Sequence, residues 1–176
     1  MKKFNLPFTD KQIKSLKIGE QVLLSGIIYT SRDQAHKRLM EDLCKGIEML
    51  KNNVIYYCGP TPAPKGKVIG SCGPTTSSRM DDFSPSLISR GLKVTIGKGR
   101  RNEKVIKAIK QYRGVYFVTY AGCGALLSKF IQEAKPVLYP ELGPEAVFKL
   151  KVKDFPVIVA IDSSGNDIYN KQHLNK

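Results

Sequence analysis

Apolar and polar positions along the 176 residues fall into short runs of two kinds that alternate. The run Val22-Leu23-Leu24-Ser25-Gly26-Ile27-Ile28-Tyr29 is rich in β-branched residues and predicts a buried strand. From Asp33 to about Leu50, the apolar residues Ala35, Leu39, Leu43, Ile47 and Leu50 recur at spacings of four or three. That spacing predicts an amphipathic helix, with Asp33 capping or charging its first turn. Residues 54–58 predict a second strand, 59–66 a loop rich in proline and glycine, and 68–71 a further strand. A polar loop then runs into a predicted helix over about 80–89, which Gly91 ends. Residues 94–96 read as a strand closed by Gly97-Lys98-Gly99, and Asn102 caps a helix to about Tyr112. A strand over 115–120 follows, and Gly122-Cys123-Gly124 opens a helix to about Glu133. Residues 137–139, 146–152 and 157–161 predict three more strands, with a turn at 162–166.

Strand–helix alternation predicts an α/β layered domain with much parallel pairing, and the closing strands predict an antiparallel or mixed addition. Residues 1–20 read as an extended, charged lead-in, 21–170 as a single domain and 171–176 as a tail. Hydrophobic residues make up 41% and charged residues 25%, the balance of a soluble globular chain. No apolar run approaches the roughly 18 residues that a membrane span needs. Residues 1–10 contain two lysines but no apolar core of a secretory signal, so the expected location is cytoplasmic, with no membrane partner.

Cys44, Cys58, Cys72 and Cys123 lie no closer than 14 residues apart, so no CxxC pair exists. That spacing speaks against a zinc ribbon and leaves each cysteine as a small buried thiol. His36 falls inside the first predicted helix, on its polar face, and His173 falls in the tail.

The net charge of +14 admits a nucleic-acid-binding module as a reading from another class. Only 7 of the 29 basic residues are arginine, however, and the lysines are spread along the chain. A solvated lysine surface, or attraction of an anionic substrate or acidic partner, accounts for the charge without nucleic acid.

Ligands of open α/β sheets bind beyond the carboxyl ends of the strands. Four such ends carry unusual junctions: Arg32-Asp33, the loop 73–79, Gly97-Lys98-Gly99 and Ala121-Gly122-Cys123-Gly124. If their strands are parallel neighbours, the four converge on one rim. The densest is Gly73-Pro74-Thr75-Thr76-Ser77-Ser78-Arg79-Met80-Asp81. One hydroxyl suffices to cap a helix, so four in a row followed by an arginine point to an anion site. Lys98 between two glycines reads either as a turn lysine or as a ligand, and Arg32 either as a partner of Asp33 or Glu41 or as a ligand. The whole constellation lacks paired carboxylates and metal-ligand spacing. It looks like half of an active site, the half that grips a small polycarboxylate.

The string Gly-Pro-Thr-Thr-Ser-x-Arg-Met-Asp resembles the signature of class I fumarate hydratases and L-tartrate dehydratases, in their β subunit or C-terminal domain. The resemblance continues through Arg32-Asp33, Tyr56-Tyr57-Cys58-Gly59-Pro60, Ile96-Gly97-Lys98-Gly99, Ala121–Leu126, Glu145-Ala146-Val147 and Asp154-Phe155-Pro156. It implies a three-layer swivelling β/β/α domain with a mainly parallel central sheet. It also implies a hydro-lyase that hydrates fumarate to L-malate reversibly, or dehydrates tartrate. The 4Fe–4S cluster of such an enzyme is bound by a separate α subunit, in an α2β2 assembly. By resemblance Thr75 is the catalytic base, and Arg32, Arg79, Lys98, Ser77 and Thr76 bind the substrate.

Overall fold

The computed structural model describes residues 1–41 and 50–170. The predicted helix between positions 42 and 49, Cys44 and the tail with His173 lie outside the described residues. Seven strands are present among those described. They are β1 (Lys2–Asn5), β2 (Gln21–Thr30), β3 (Val54–Tyr56), β4 (Val94–Gly97), β5 (Val115–Val118), β6 (Ile131–Leu138) and β7 (Val147–Ile161). The helices are α1 (Asp10–Ser15), α2 (Asp33–Glu41), α3 (Ser84–Ser89), α4 (Glu103–Tyr112) and α5 (Gly124–Leu127). None is long and apolar enough to cross a membrane.

The chain forms one mixed sheet in the order β1-β2-β3-β4-β5-β7-β6. The first five strands pair in parallel, and β7 runs antiparallel to β5, β6 and β2. Because β7 also pairs with β2, the ring β2-β3-β4-β5-β7 closes on itself. Alternation along the strands divides the core. Val54 and Tyr56, Val94 and Ile96, and Val115 and Phe117 pack with Leu24, Leu150 and Phe155 in the largest cluster. Ile55 and Tyr57 face the other way, onto Leu39 of α2 and Leu87 of α3. Tyr116 likewise turns outward to Val105 and Ile109 of α4.

The segment read as a lead-in contributes β1, parallel to β2, and buries Phe8, Ile13 and Leu16 in the main cluster. Residues 68–71 are not a strand. They fold back on their own loop, with Thr61 N–H donating to the Ser71 carbonyl and Gly70 N–H to the Thr61 carbonyl. The helix expected over 80–89 is a 3-10 turn, Ser77–Met80, followed by α3. The helix expected to reach Glu133 ends at Leu127, and Ile131 already begins β6. Strand β6 is an edge, mostly exposed, so its Lys, Glu and Pro residues conceal the period-two signal. The strands expected over 146–152 and 157–161 are one strand, β7, interrupted only by a positive φ at Asp154. The Asp154 N–H donates to Ser25 Oγ at 3.0 Å, beside a register shift between Leu24 and Gly26 of β2. What reads as a break is therefore a bulge.

Candidate active site

Parallel pairing of β2, β3, β4 and β5 brings their carboxyl ends to one edge, where the four junctions meet. The hydroxyl loop is laid along this edge by backbone bonds. Thr75 N–H donates to the Tyr57 carbonyl at 2.6 Å and Ser77 N–H to the Lys98 carbonyl at 2.9 Å. Thr76 and Lys98 thereby form a parallel bridge that prolongs β4. Gly97 makes this approach possible, because a Cβ there would sit 2.0 Å from Ser77 Oγ. Gly124 does the same for the start of the loop: its Cβ would lie 2.9 Å from the Gly73 nitrogen, and its carbonyl accepts the Cys72 N–H.

The loop residues then separate by role. Ser77 is fully buried; its Oγ accepts the Lys98 N–H at 3.1 Å and is bonded to the Tyr116 hydroxyl at 2.8 Å. Burial pushes the Tyr116 phenol well above its ordinary pKa, so it stays protonated. Ser77 therefore sits in the base of the loop, away from its open side. Thr75 is half-buried, and Thr76, Ser78 and Arg79 are exposed.

Two arginines meet at the start of α2. Arg79 Nη2 pairs with Asp33 Oδ2, and Arg32 Nη2 lies 3.6 Å from Glu145 Oε1. The partner of Arg32 is thus Glu145, not Asp33 or Glu41, and Asp33 holds Arg79 instead. A guanidinium has five donors, so Asp33 leaves most of the Arg79 fork for a second carboxylate. Buried Arg32 Nε and Asp33 Oδ1 have no hydrogen-bond partner among the described residues. Buried polar atoms are normally satisfied, and the Arg32 Nε is a donor left open beside the loop.

Behind the loop lies a residue that the sequence did not single out. Arg101 is buried, with Nε 2.6 Å from Asp81 Oδ1 and Nη2 2.6 Å from Ser84 Oγ. Its guanidinium also stacks between the rings of Tyr57 and Tyr116, 5.2 and 5.0 Å from their centroids. Asp81 Oδ2 accepts the Asn102 N–H at 2.7 Å, tying the end of the loop to the start of α4.

His36 is fully buried, not on a polar face: its ring lies 5.4 Å from that of Tyr57, and Nδ1 is 2.8 Å from Ser31 Oγ. Burial lowers its pKa from 6.5 to about 4. The unfolded chain therefore takes up a proton between these values and the folded chain does not, so stability falls as pH drops from about 6.5 to 4. The loss from this group is on the order of 3 kcal/mol, complete below the folded pKa. Thermal melts across that window should show the decline, and His36→Gln should flatten it.

Cys58 and Cys72 are free, buried thiols with their sulfurs 3.1 Å apart, and burial raises the Cys58 pKa well above its ordinary value. Cys123 is free and half-buried. No group of three or more His, Cys, Asp or Glu among the described residues could hold a metal ion.

Comparison with known proteins adds the family. The profile described as Fumarase C-terminus matches residues 1–172. Fumarate hydratase 2 of Leishmania major is 38% identical over 166 residues, 92% of this chain and 29% of that protein. The aerobic class I fumarate hydratase of Salmonella typhimurium is 36% identical over 174 residues, 95% of this chain and 30% of that protein. A Methanocaldococcus jannaschii protein, provisionally named L(+)-tartrate dehydratase subunit beta, is 39% identical over 177 residues, 96% of this chain and 90% of that protein. The chain thus spans about three tenths of the class I fumarate hydratases it matches. With its signature loop seated at the strand-end rim, the chain belongs to the Fumarase C-terminus family.

Proposed function

We propose that this chain is the β subunit of a two-subunit hydro-lyase that interconverts fumarate and L-malate. The observation that supports the reading is the meeting, at one sheet edge, of the segments that carry Arg32, Arg79 and Lys98 with the Thr75–Thr76 loop. Three cations around an open loop suit a substrate with two carboxylates. Near-complete coverage of a protein named as a β subunit supports a separate α partner, in an α2β2 assembly. We also infer the swivelling β/β/α architecture of such subunits for this domain.

In this reading the α subunit would hold a 4Fe–4S cluster, which would supply Lewis-acid chemistry to the substrate hydroxyl. The residues of this chain do the rest. Arg79, oriented by Asp33, and Arg32, oriented by Glu145, bind the carboxylates. Lys98 and Arg79 offset the charge that builds as a proton leaves the carbon next to one carboxylate. Thr75 takes that proton, and the same cations stabilise its alkoxide, since a threonine hydroxyl alone is a weak base at neutral pH. Ser77 serves from behind, holding Lys98 and the loop in register.

L-tartrate is the second candidate substrate, favoured by the match over 90% of the protein with that name. Anaerobic reconstitution with the cluster-bearing chain of the same organism, assayed on fumarate, L-malate and L-tartrate, decides between them. The expected result is an inactive isolated chain and a complex that turns over fumarate and malate. Turnover by the isolated chain, or by the complex on tartrate alone, would overturn the assignment.

A further inference from the structure

An apolar groove of about 270 Å³ opens beside the rim, between the loop after β3 and the β6–β7 hairpin. Among the described residues no charged side chain lines it; Pro60, Ala63 and Val68 form one wall and Pro136, Pro144 and Phe148 the other. Val68 is 49% exposed. The ridge Val68–Ile69 separates this groove from a second, of about 400 Å³, whose charged lining residues are Lys67 and Lys129. Among the described residues no acidic side chain lines the second groove.

The first groove is continuous with the candidate active site. Pro60 and Pro144 of its walls flank Arg32: a Cβ on Gly59 would lie 2.7 Å from Arg32 Nη1 and 3.0 Å from the Pro144 carbonyl. Glu145, which pairs with Arg32, follows Pro144 directly. A body seated in the groove therefore stands at the edge of the anion site and shields it from water.

We propose that this pair of grooves is the docking surface for the cluster-bearing partner chain, which presents an apolar segment to the first groove and acidic residues to the second. The proposal rests on the two-subunit reading above. Three observations select this occupant. More than two thirds of the length of the class I relatives lies outside the segment matched by this chain, so those proteins carry a large further body. The grooves adjoin the site that such a body must complete. The net charge of +14 and the lysines of the second groove favour an acidic partner face. Apolar anchors in a pocket beside a charged rim are the usual composition of a binding hot spot.

The test uses the full chain and, as probe, the chain of the same organism that matches the remaining length of the class I relatives. Val68→Glu and Ala63→Glu each place a charge in the apolar groove at an exposed position, so folding should survive, with thermal melts as the control. Each is expected to raise the Kd of the complex about 30-fold or more by calorimetry. Tyr112→Glu, on an exposed position of α4, should stay within about threefold. Wild-type affinity in both groove variants, with melts unchanged, would overturn the docking surface and leave the two-subunit reading intact. A complex that both variants weaken but that shows no hydro-lyase activity would keep the surface and sink that reading. Failure of the wild-type chain to bind the probe, with self-association abolished by Val68→Glu, would give the groove to a second copy and overturn the proposal.

Discussion

Arg79→Ala is expected to lower kcat/KM for L-malate by about 30- to 1000-fold in the reconstituted complex, the effect of losing one charge-assisted clamp worth roughly 2–4 kcal/mol in the transition state. The guanidinium is exposed and held by Asp33 on one side, so the chain should fold and assemble without it. Arg79→Lys should be nearly as damaging, because an ammonium cannot bridge Asp33 and a substrate carboxylate as a planar fork does. Lys98→Arg should be tolerated better, since its anchoring bonds come from its backbone. Steady-state kinetics with thermal melts as control separate these cases. If Arg79→Ala retains more than about half of the wild-type kcat/KM, Arg79 is a surface partner of Asp33 and nothing more.

The second large effect is on folding. Arg101→Ala should destabilise the chain by on the order of 3–5 kcal/mol, because it leaves the buried Asp81 carboxylate without its cation. For a chain of this size that lowers Tm by about 6–20 °C. Arg101→Lys should fall between, restoring a charge but not the fork that also reaches Ser84 and Tyr57. Because Asp81 ends the hydroxyl loop, both variants should also raise KM for malate at temperatures where they remain folded. A Tm within about 2 °C of wild type for Arg101→Ala would show that the network contributes little.

Much of this architecture was legible in the sequence, because short buried strands carry a strong local signal. The strands around Val22–Tyr29, Val94 and Val115 and the Asn102 cap all stand where their residues indicate, the last with Val105 N–H donating to Asn102 Oδ1 at 2.9 Å. The convergence of the junctions after β2, β4 and β5 was legible too, since it follows from parallel pairing; the 73–79 loop follows no strand and joins them through its backbone bonds to Tyr57 and Lys98. What was hidden depends on tertiary contact. Strand β6 lacks alternation because it is an edge, and the β7 bulge mimics two strands. His36 shows a polar name at a helical spacing, yet Tyr57 and Phe83 enclose it. Arg101 reads as one more basic residue after Gly99-Arg100, and only the rings of Tyr57 and Tyr116, distant in sequence, make it a buried cation. The inward turn of Ser77 likewise follows from Gly97, which no spacing within the loop reveals.

The central claim is that the rim grips two carboxylates at once. Its most direct test compares L-malate with 3-hydroxybutanoate, which lacks one of them, in the reconstituted wild-type complex. The expected result is a kcat/KM for 3-hydroxybutanoate lower by about a thousandfold or more, the loss of one carboxylate with its charge-assisted bonds. Values for the two compounds within about tenfold of each other would contradict the two-carboxylate clamp.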